Sequence, residues 1–231
     1  MSWRQHRRRV SIGAVAALAA LAAIAAFVST RTGAASARLP LAALTTLGPL
    51  RSAGTGPLGP EDVPIPEGPV LARTRLLAPS EQIDGIACQA GEQVLFHIHA
   101  HLTIFVRGAV RRVPAGIGLA PPLQVEGTPR GPFVAGASCF MWLHTHAADG
   151  IIHTESPVNR AYRLGELFDI WGQPLNRKQV GPAHGRVTAL FNGRVFTGNP
   201  REIPLLAHAQ IQLEVGRPLV APDEITFPSG L

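Results

Sequence analysis

The chain has 231 residues, of which 46% are apolar and 16% are charged, and this composition excludes a wholly disordered protein. The formal charge of +6 does not indicate a nucleic-acid partner, because six of the 21 Lys and Arg residues lie in the first 38 residues, which contain no acid. The other 15 are matched by 15 acidic side chains. Two cysteines are too few for a disulfide-rich scaffold or a Cys-rich zinc module.

Residues 1–29 have the form of a targeting segment. Arg4 and Arg7 to Arg9 precede an uncharged apolar run from Val10 to Val28, which as a helix is about 28 Å long and therefore able to cross a bilayer. The arginines favour a cytoplasmic N-terminus and export of the chain after residue 30. Either the run stays as a signal anchor, giving a single-pass protein of the cell membrane with its C-terminal domain outside the cytoplasm, or a signal peptidase cuts after Ala37 and the protein is secreted or periplasmic.

Residues 30–79 are predicted to be a linker. They contain eight prolines with glycines between them, and no apolar period of 2 or 3.6 persists. Such a chain is a semi-extended spacer that would hold the C-terminal domain away from the membrane. One short piece, Ile65 to Leu71, is expected to pack onto the domain as an edge segment.

Residues 80–231 are predicted to form the folded, His-rich β domain. Apolar and polar residues alternate from Val94 to Val106, as in a half-buried strand. The period becomes helical between Leu164 and Trp171, and Gly172 then ends a short helix. Further strands are predicted at Cys139 to His146, Ile151 to Glu155, Val187 to Phe191, Val195-Phe196 and Ala209 to Val215, with turns at Arg107-Gly108, Asp149-Gly150 and Asn192-Gly193. The fold class is therefore mainly β with one short helix (α+β), a small sandwich or barrel-like domain after the N-terminal transmembrane or signal helix.

Six of the nine histidines lie between residues 97 and 153, and they are the candidate metal ligands. Residues i and i+2 of a strand point to the same side, so one His-x-His pair can reach an ion, whereas His97 and His101 cannot both do so unless the strand bends. Imidazoles near a carboxylate suit a transition metal, with Zn or Cu as the expected cofactor, and do not suit Ca²⁺ or Mg²⁺. A solvated polar face is the alternative for the first three. The candidates are His97, His99, His101, His144, His146 and His153.

The turn at Asp149-Gly150 decides which residues of the second cluster face one another. If these two residues form the whole turn, His146 lies opposite His153 and His144 lies opposite Glu155. A four-residue loop, 147–150, places His144 opposite His153 instead. Both registers keep the three histidines on one face. Glu155 is expected to support the ligands or to serve as a general base rather than to bind the ion.

Cys88 and Cys139 are expected to form a disulfide, because an exported domain sits where disulfides persist. By strand parity Cys139 points away from His144 and His146. The alternatives are a thiolate ligand for the metal and two free thiols.

The motifs HxHxHL at His97 to Leu102 and WLHTHxxxGIIHxESP within Cys139 to Pro157 resemble a family of uncharacterised exported or membrane-anchored bacterial proteins. Leu164 to Gly172 and the tail Ile211 to Leu231 share the resemblance, which covers residues 83–231. It implies an exported, His-rich domain. Members often have Asn-Gly where this chain has Arg107-Gly108. The resemblance implies no catalytic role and no substrate.

Three functions fit these patterns. The first is an exported, membrane-anchored protein that binds a transition metal ion without catalysis. The second is a metal-dependent enzyme in which three histidines leave a position for an activated water and Glu155 acts as base. The third is a metal-free structural module whose histidines respond to pH. A closed four-ligand site indicates binding, and three ligands beside a cleft indicate catalysis.

Overall fold

The computed structural model describes residues 38–39, by their backbone alone, and residues 56–231. The described residues are 42% strand and 6% helix, which confirms the predicted mainly-β class. Among them, no helix is long and apolar enough to cross a membrane. The predicted targeting segment, residues 1–29, and most of residues 30–55 lie outside the described part.

The strands of the first half, in chain order, are β1 (Arg38–Leu39), β2 (Gln82–Ile83), β3 (Ile86–Gln89), β4 (Phe96–Val106), β5 (Ala109–Arg111), β6 (Leu119–Ala120), β7 (Gln124–Thr128), β8 (Gly131–Gly136), β9 (Cys139–Met141), β10 (Leu143–His144) and β11 (Ile151–Ser156). The second half has β12 (Tyr162–Arg163), β13 (Leu175–Asn176), β14 (Gln179–Val180), β15 (Ala183–His184), β16 (Val187–Phe191), β17 (Arg194–Phe196), β18 (Pro204–Leu205) and β19 (Ala209–Val215). The helix α1 spans Leu164–Trp171, and a 3-10 turn spans Pro200–Glu202.

Eight strands form the main sheet, in the order β1-β17-β16-β19-β4-β11-β10, with β5 also paired to β4. The long strand β4 is central, because its first half pairs antiparallel with β11 and its second half pairs parallel with β19. The predicted hairpins at Arg107-Gly108 and Asn192-Gly193 are present, with positive φ at all four residues. The smaller sheets are β2-β3-β9-β6, β7-β8, β12-β18 and β13-β14-β15.

The apolar side of β4 and the apolar face of α1 share one core. Leu102 and Ile104 of the strand and Phe168 and Trp171 of the helix are buried in the same cluster. The helix has the predicted extent, and Gly172 ends it in a left-handed conformation, with φ of 72°. Because one side of β4 faces this core, its histidines lie on the opposite side of the sheet.

Residues 56–79, which belong to the predicted linker, lie against the domain. Val63, Leu71 and Leu77 are buried. The Leu71 N–H donates to the Arg112 carbonyl at 2.9 Å, and the Arg112 N–H donates to the Pro69 carbonyl at 3.0 Å. The expected packing of residues 65–71 as an edge segment is thereby confirmed.

The polar side of β19 is covered by the C-terminal residues. Gln212 and Glu214 are only 3% and 2% exposed. The Val220 N–H donates to the Glu214 carboxylate at 2.9 Å, and the Asp223 N–H donates to Gln212 Oε1 at 2.8 Å. These side chains satisfy the tail's backbone groups as a neighbouring strand would. Burial raises the pKa of Glu214 to about 7, although the hydrogen bonds from Val220 and Gln212 oppose it.

The predicted strand from Cys139 to His146 is shorter than expected and is interrupted at Trp142. Beyond His144 the backbone bonds to other segments: the Thr145 N–H donates to the Ile117 carbonyl, and the His146 carbonyl accepts from Val134. The Thr145 hydroxyl also donates to the Pro114 carbonyl at 2.8 Å. Loop contacts thus replace the strand ladder before the turn at Asp149-Gly150.

Cys88 and Cys139 form the predicted disulfide, which joins β3 to β9. We expect the double variant Cys88→Ala/Cys139→Ala to lose on the order of 4 kcal/mol of unfolding free energy, because the bond closes a loop across 51 residues in the unfolded chain. Urea unfolding of the full chain measures this difference. An unfolding midpoint that reduction does not change would contradict it.

Candidate metal centre

Three neighbouring strands place the histidines in one row. His144 of β10 pairs with His153 of β11, and His153 pairs with His99 of β4. Two residues further along β11, Glu155 pairs with His97 of β4. Directly paired residues share a face, so these five side chains lie together. The observed register is the one expected for the four-residue loop, not that of the two-residue turn.

The turn before β11 fixes its register. Asp149 Oδ1 accepts from the Ile151 N–H at 3.1 Å, and His101 Nε2 donates to the Asp149 carbonyl at 2.9 Å. Gly150 has φ of +92°, and a Cβ there would lie 2.4 Å from the Leu102 carbonyl oxygen. His101 is therefore occupied in holding the turn. Unlike the other five candidate histidines, it belongs to no group of ligand atoms close enough to hold a metal ion.

Two overlapping groups of ligand atoms are close enough to hold a metal ion. In each group all four ligand atoms lie within 4.8 Å of one another. His153 and Glu155 belong to both groups. The first group adds His97 and His99, and the second adds His144 and His146.

The His144 and His146 rings have fixed orientations. His144 Nδ1 lies 2.9 Å from the Met141 carbonyl, and His146 Nδ1 lies 2.6 Å from the Val134 carbonyl. A carbonyl only accepts, so both Nδ1 atoms carry the proton and both Nε2 atoms present a lone pair when the rings are neutral. The two Nε2 atoms are 3.1 Å apart. Burial, then repulsion from the other histidines, lowers the pKa of both residues, so protonation does not relieve this contact at neutral pH.

His153 lies between two carboxylates. Its Nε2 donates to Glu61 Oε1 at 2.7 Å, and its Nδ1 lies 3.1 Å from His99 Nε2 and 3.4 Å from Glu155 Oε1. Burial disfavours a charged ring, but the hydrogen bonds and charges of Glu155 and Glu61 outweigh burial and raise the pKa of His153 to about 9. Without metal this ring is a cation, and a bound ion would take the place of its Nδ1 proton.

The two oxygens of Glu155 face different histidines. Oε1 lies 3.1 Å from His97 Nε2, whereas Oε2 lies 3.8 Å from His144 Nε2 and has no hydrogen-bond partner among the described residues although it is buried. Burial raises the pKa of Glu155, but the hydrogen bond with His153 and the surrounding imidazoles outweigh it and lower the pKa to about 2. Glu155 is thus an ionised carboxylate that belongs to both groups, and its Oε2 atom is free to bind.

A cleft leads to this cluster from the surface. His97, His99 and His146 line it, with Phe133 stacked on the His146 ring at 4.8 Å. Glu92 also lines the cleft, and its Oε1 is 3.5 Å from His146 Nε2. Other walls come from residues 60–62 and 228–231.

The sequence patterns did not identify Glu61 and Glu92 as part of the site. Glu61 lies in the Pro-rich segment, 92 residues before His153, and its carboxylate is 5% exposed. Glu92 lies in a loop before β4. Neither position has a period or a motif that would mark it.

Comparisons with protein-family models, with curated proteins and with solved structures find no match to this chain.

We expect Glu61→Ala to weaken metal binding by about 10–100-fold, because the Glu61 carboxylate fixes the His153 ring so that Nδ1 faces the cluster. Titration of the full chain with Zn²⁺ measures the affinity. Glu67→Ala is the matched control, since Glu67 is an exposed carboxylate of the same segment. Equal affinities of the two variants would contradict this role of Glu61.

Proposed function

We propose that this chain is an exported, membrane-anchored protein that binds a transition metal ion, Zn or Cu, at the His/Glu cluster. The observation that carries the proposal is the 3.1 Å contact between the Nε2 atoms of His144 and His146. Backbone carbonyls hold both Nδ1 protons, so two lone pairs face each other in a buried position. Such a contact is repulsive without a cation, and a metal ion turns it into coordination.

The donor set supports the choice of metal. Imidazole nitrogens with one carboxylate suit Zn²⁺ and Cu²⁺, whereas Ca²⁺ and Mg²⁺ prefer oxygen ligands. Cys88 and Cys139 are bonded to each other and supply no thiolate. Met141 is the one methionine after Met1, and it lies in β9, where it pairs with Cys88 of β3, so a thioether-rich Cu⁺ site has no support.

Two features support export. A disulfide such as Cys88–Cys139 persists in an oxidising compartment and is rare in a reducing cytosol. The sequence of residues 1–29 combines arginines with an apolar run long enough to span a bilayer.

Metal-dependent catalysis is the second candidate, and the cleft favours it. The cleft brings solvent and small molecules to His97, His99 and His146, so a substrate could reach a bound ion. In that case Glu155 would serve as a ligand rather than as the expected base, because both of its oxygens face imidazole nitrogens. The third function, a metal-free module, gives no reason for the two lone pairs that face each other at His144 and His146.

We expect His146→Ala to weaken Zn²⁺ or Cu²⁺ binding at least about tenfold. Removing a ligand lowers the affinity for the metal more than removing a residue that only orients a ligand. The measurement is isothermal titration of the full chain, with elemental analysis of the protein as isolated. His184→Ala is the control, because His184 is an exposed histidine outside the cluster. A wild-type chain that binds neither metal would refute the proposal.

Reporter fusions test the location. An enzyme that needs disulfides, fused after residue 60, should be active outside the cytoplasm, and its activity should be lost when residues 1–29 are deleted. The complementary reporter, active only in the cytoplasm, should give the reverse pattern. Cytoplasmic activity of the intact fusion would contradict export and leave metal binding to be judged by titration.

A further inference from the structure

We propose that the cluster holds two metal ions bridged by the carboxylate of Glu155, an inference that rests on the proposed metal binding. The cluster offers more donors than one ion can use. Five imidazoles and Glu155 make up the two groups, whereas tetrahedral Zn²⁺ takes four ligands. The two groups share Glu155 but draw on different His-x-His pairs.

The first ion would lie among His97 Nε2, His99 Nε2, His153 Nδ1 and Glu155 Oε1. Successive distances around these four atoms are 3.1, 3.1, 3.4 and 3.1 Å. Bonds of 2.0–2.1 Å at tetrahedral angles separate neighbouring donors by about 3.3 Å. These four distances therefore match the spacing that one tetrahedral ion requires, and all ligand atoms of the group lie within 4.8 Å of one another.

The second ion would lie among His144 Nε2, His146 Nε2 and Glu155 Oε2. The two nitrogens are 3.1 Å apart, and Oε2 is 3.8 Å from the first of them. The buried Oε2 atom accepts no hydrogen bond from the described residues, so it is free to bind. This ion would have three protein ligands and a fourth position for water or another small ligand.

The His153 ring determines which ligands bind the first ion and which bind the second. Its Nε2 proton is held by Glu61, so only Nδ1 is left to coordinate, and one lone pair serves one ion. Nδ1 lies against His99 and Glu155 Oε1, which assigns it to the first ion. Glu155, with one oxygen in each group, is the bridge, and a carboxylate bridge suits two ions about 3.5–4 Å apart.

Carboxylates around the cluster reduce the repulsion between two divalent ions. Glu155 lies between the ions, Glu61 stands behind His153, and Glu92 stands 3.5 Å from His146 Nε2. Three negative charges thus surround four positive ones. A single ion placed midway between the two histidine pairs would leave the lone pairs of at least one pair facing each other without a cation.

Metal stoichiometry and metal–metal distance test the proposal on the full chain. Elemental analysis after loading with Zn²⁺ and dialysis should give two ions per chain. X-ray absorption of that sample should show a metal–metal vector at about 3.5–4 Å. Loaded with Cu²⁺, the chain should give an electron paramagnetic resonance signal from coupled spins, well below the intensity of two isolated ions. None of these readings needs a variant.

Variants assign the two positions. His97→Ala/His99→Ala and His144→Ala/His146→Ala should each keep one ion, and the single Cu²⁺ that remains should give an uncoupled signal. His184→Ala, the exposed control, should keep two coupled ions. Circular dichroism shows whether each variant is folded. If a variant does not fold, the stoichiometry, metal–metal distance and spin coupling of the wild-type chain decide between one ion and two.

The outcomes separate the bridged pair from metal binding as such. One ion per wild-type chain, lost when either His-x-His pair is replaced, would overturn the bridged pair and leave metal binding intact. Two ions without a metal–metal vector or spin coupling would also overturn the bridge. No bound ion in the wild-type chain would overturn both proposals.

Discussion

Strand β11 lies between β10 and β4, and its register with both strands brings His153 into one row with His144 and His99. Side chains alternate along a strand, so a slip of one residue would turn His153 toward the core and bring Thr154 to the cluster. The slip would also bury Glu155 among apolar side chains. Both groups of ligand atoms contain His153 and Glu155, so neither survives a change of register.

The charges of the cluster follow from this placement. His153 and Glu155 are buried beside each other, and Glu61 approaches the ring from its other side. Three charged groups in a poorly solvated space stabilise one another only as a set. The pKa of His153 rises and that of Glu155 falls, whereas burial lowers the pKa of His99 to about 4 and also lowers those of His144 and His146. Most of the imidazoles are therefore neutral donors at neutral pH, the state that a metal ion requires.

Local periodicity made some of this arrangement predictable. The alternation in β4 predicted the histidine face, and the helical period predicted α1, because each depends on neighbours within one element. The structural role of His101 was not predictable. Its ring has the His-x-His spacing of a metal ligand, but its Nε2 donates to the Asp149 carbonyl instead. Glu61 was not predictable either, because 92 residues separate it from His153. The choice between the two registers was not predictable either, because it goes with contacts between distant segments, such as His101 with Asp149 and Thr145 with Ile117, which no pattern encodes.

The two groups of ligand atoms, which form the two halves of the cluster, differ in whether an ion bound there keeps a coordination position for a further ligand. The first half offers four donors, the number that a tetrahedral ion takes, so an ion there would be closed to further binding and held for structure. The second half offers three. All four ligands of the first half line the cleft, and so does His146 of the second half, while His144 lies behind, fully buried. The number of ligands, not access to the cleft, therefore separates the two ions: only the second would keep a position that a molecule from the cleft can take. Metal binding and catalysis need not be alternatives in such a centre, because the closed half can hold Glu155 in place while the open half meets whatever enters the cleft.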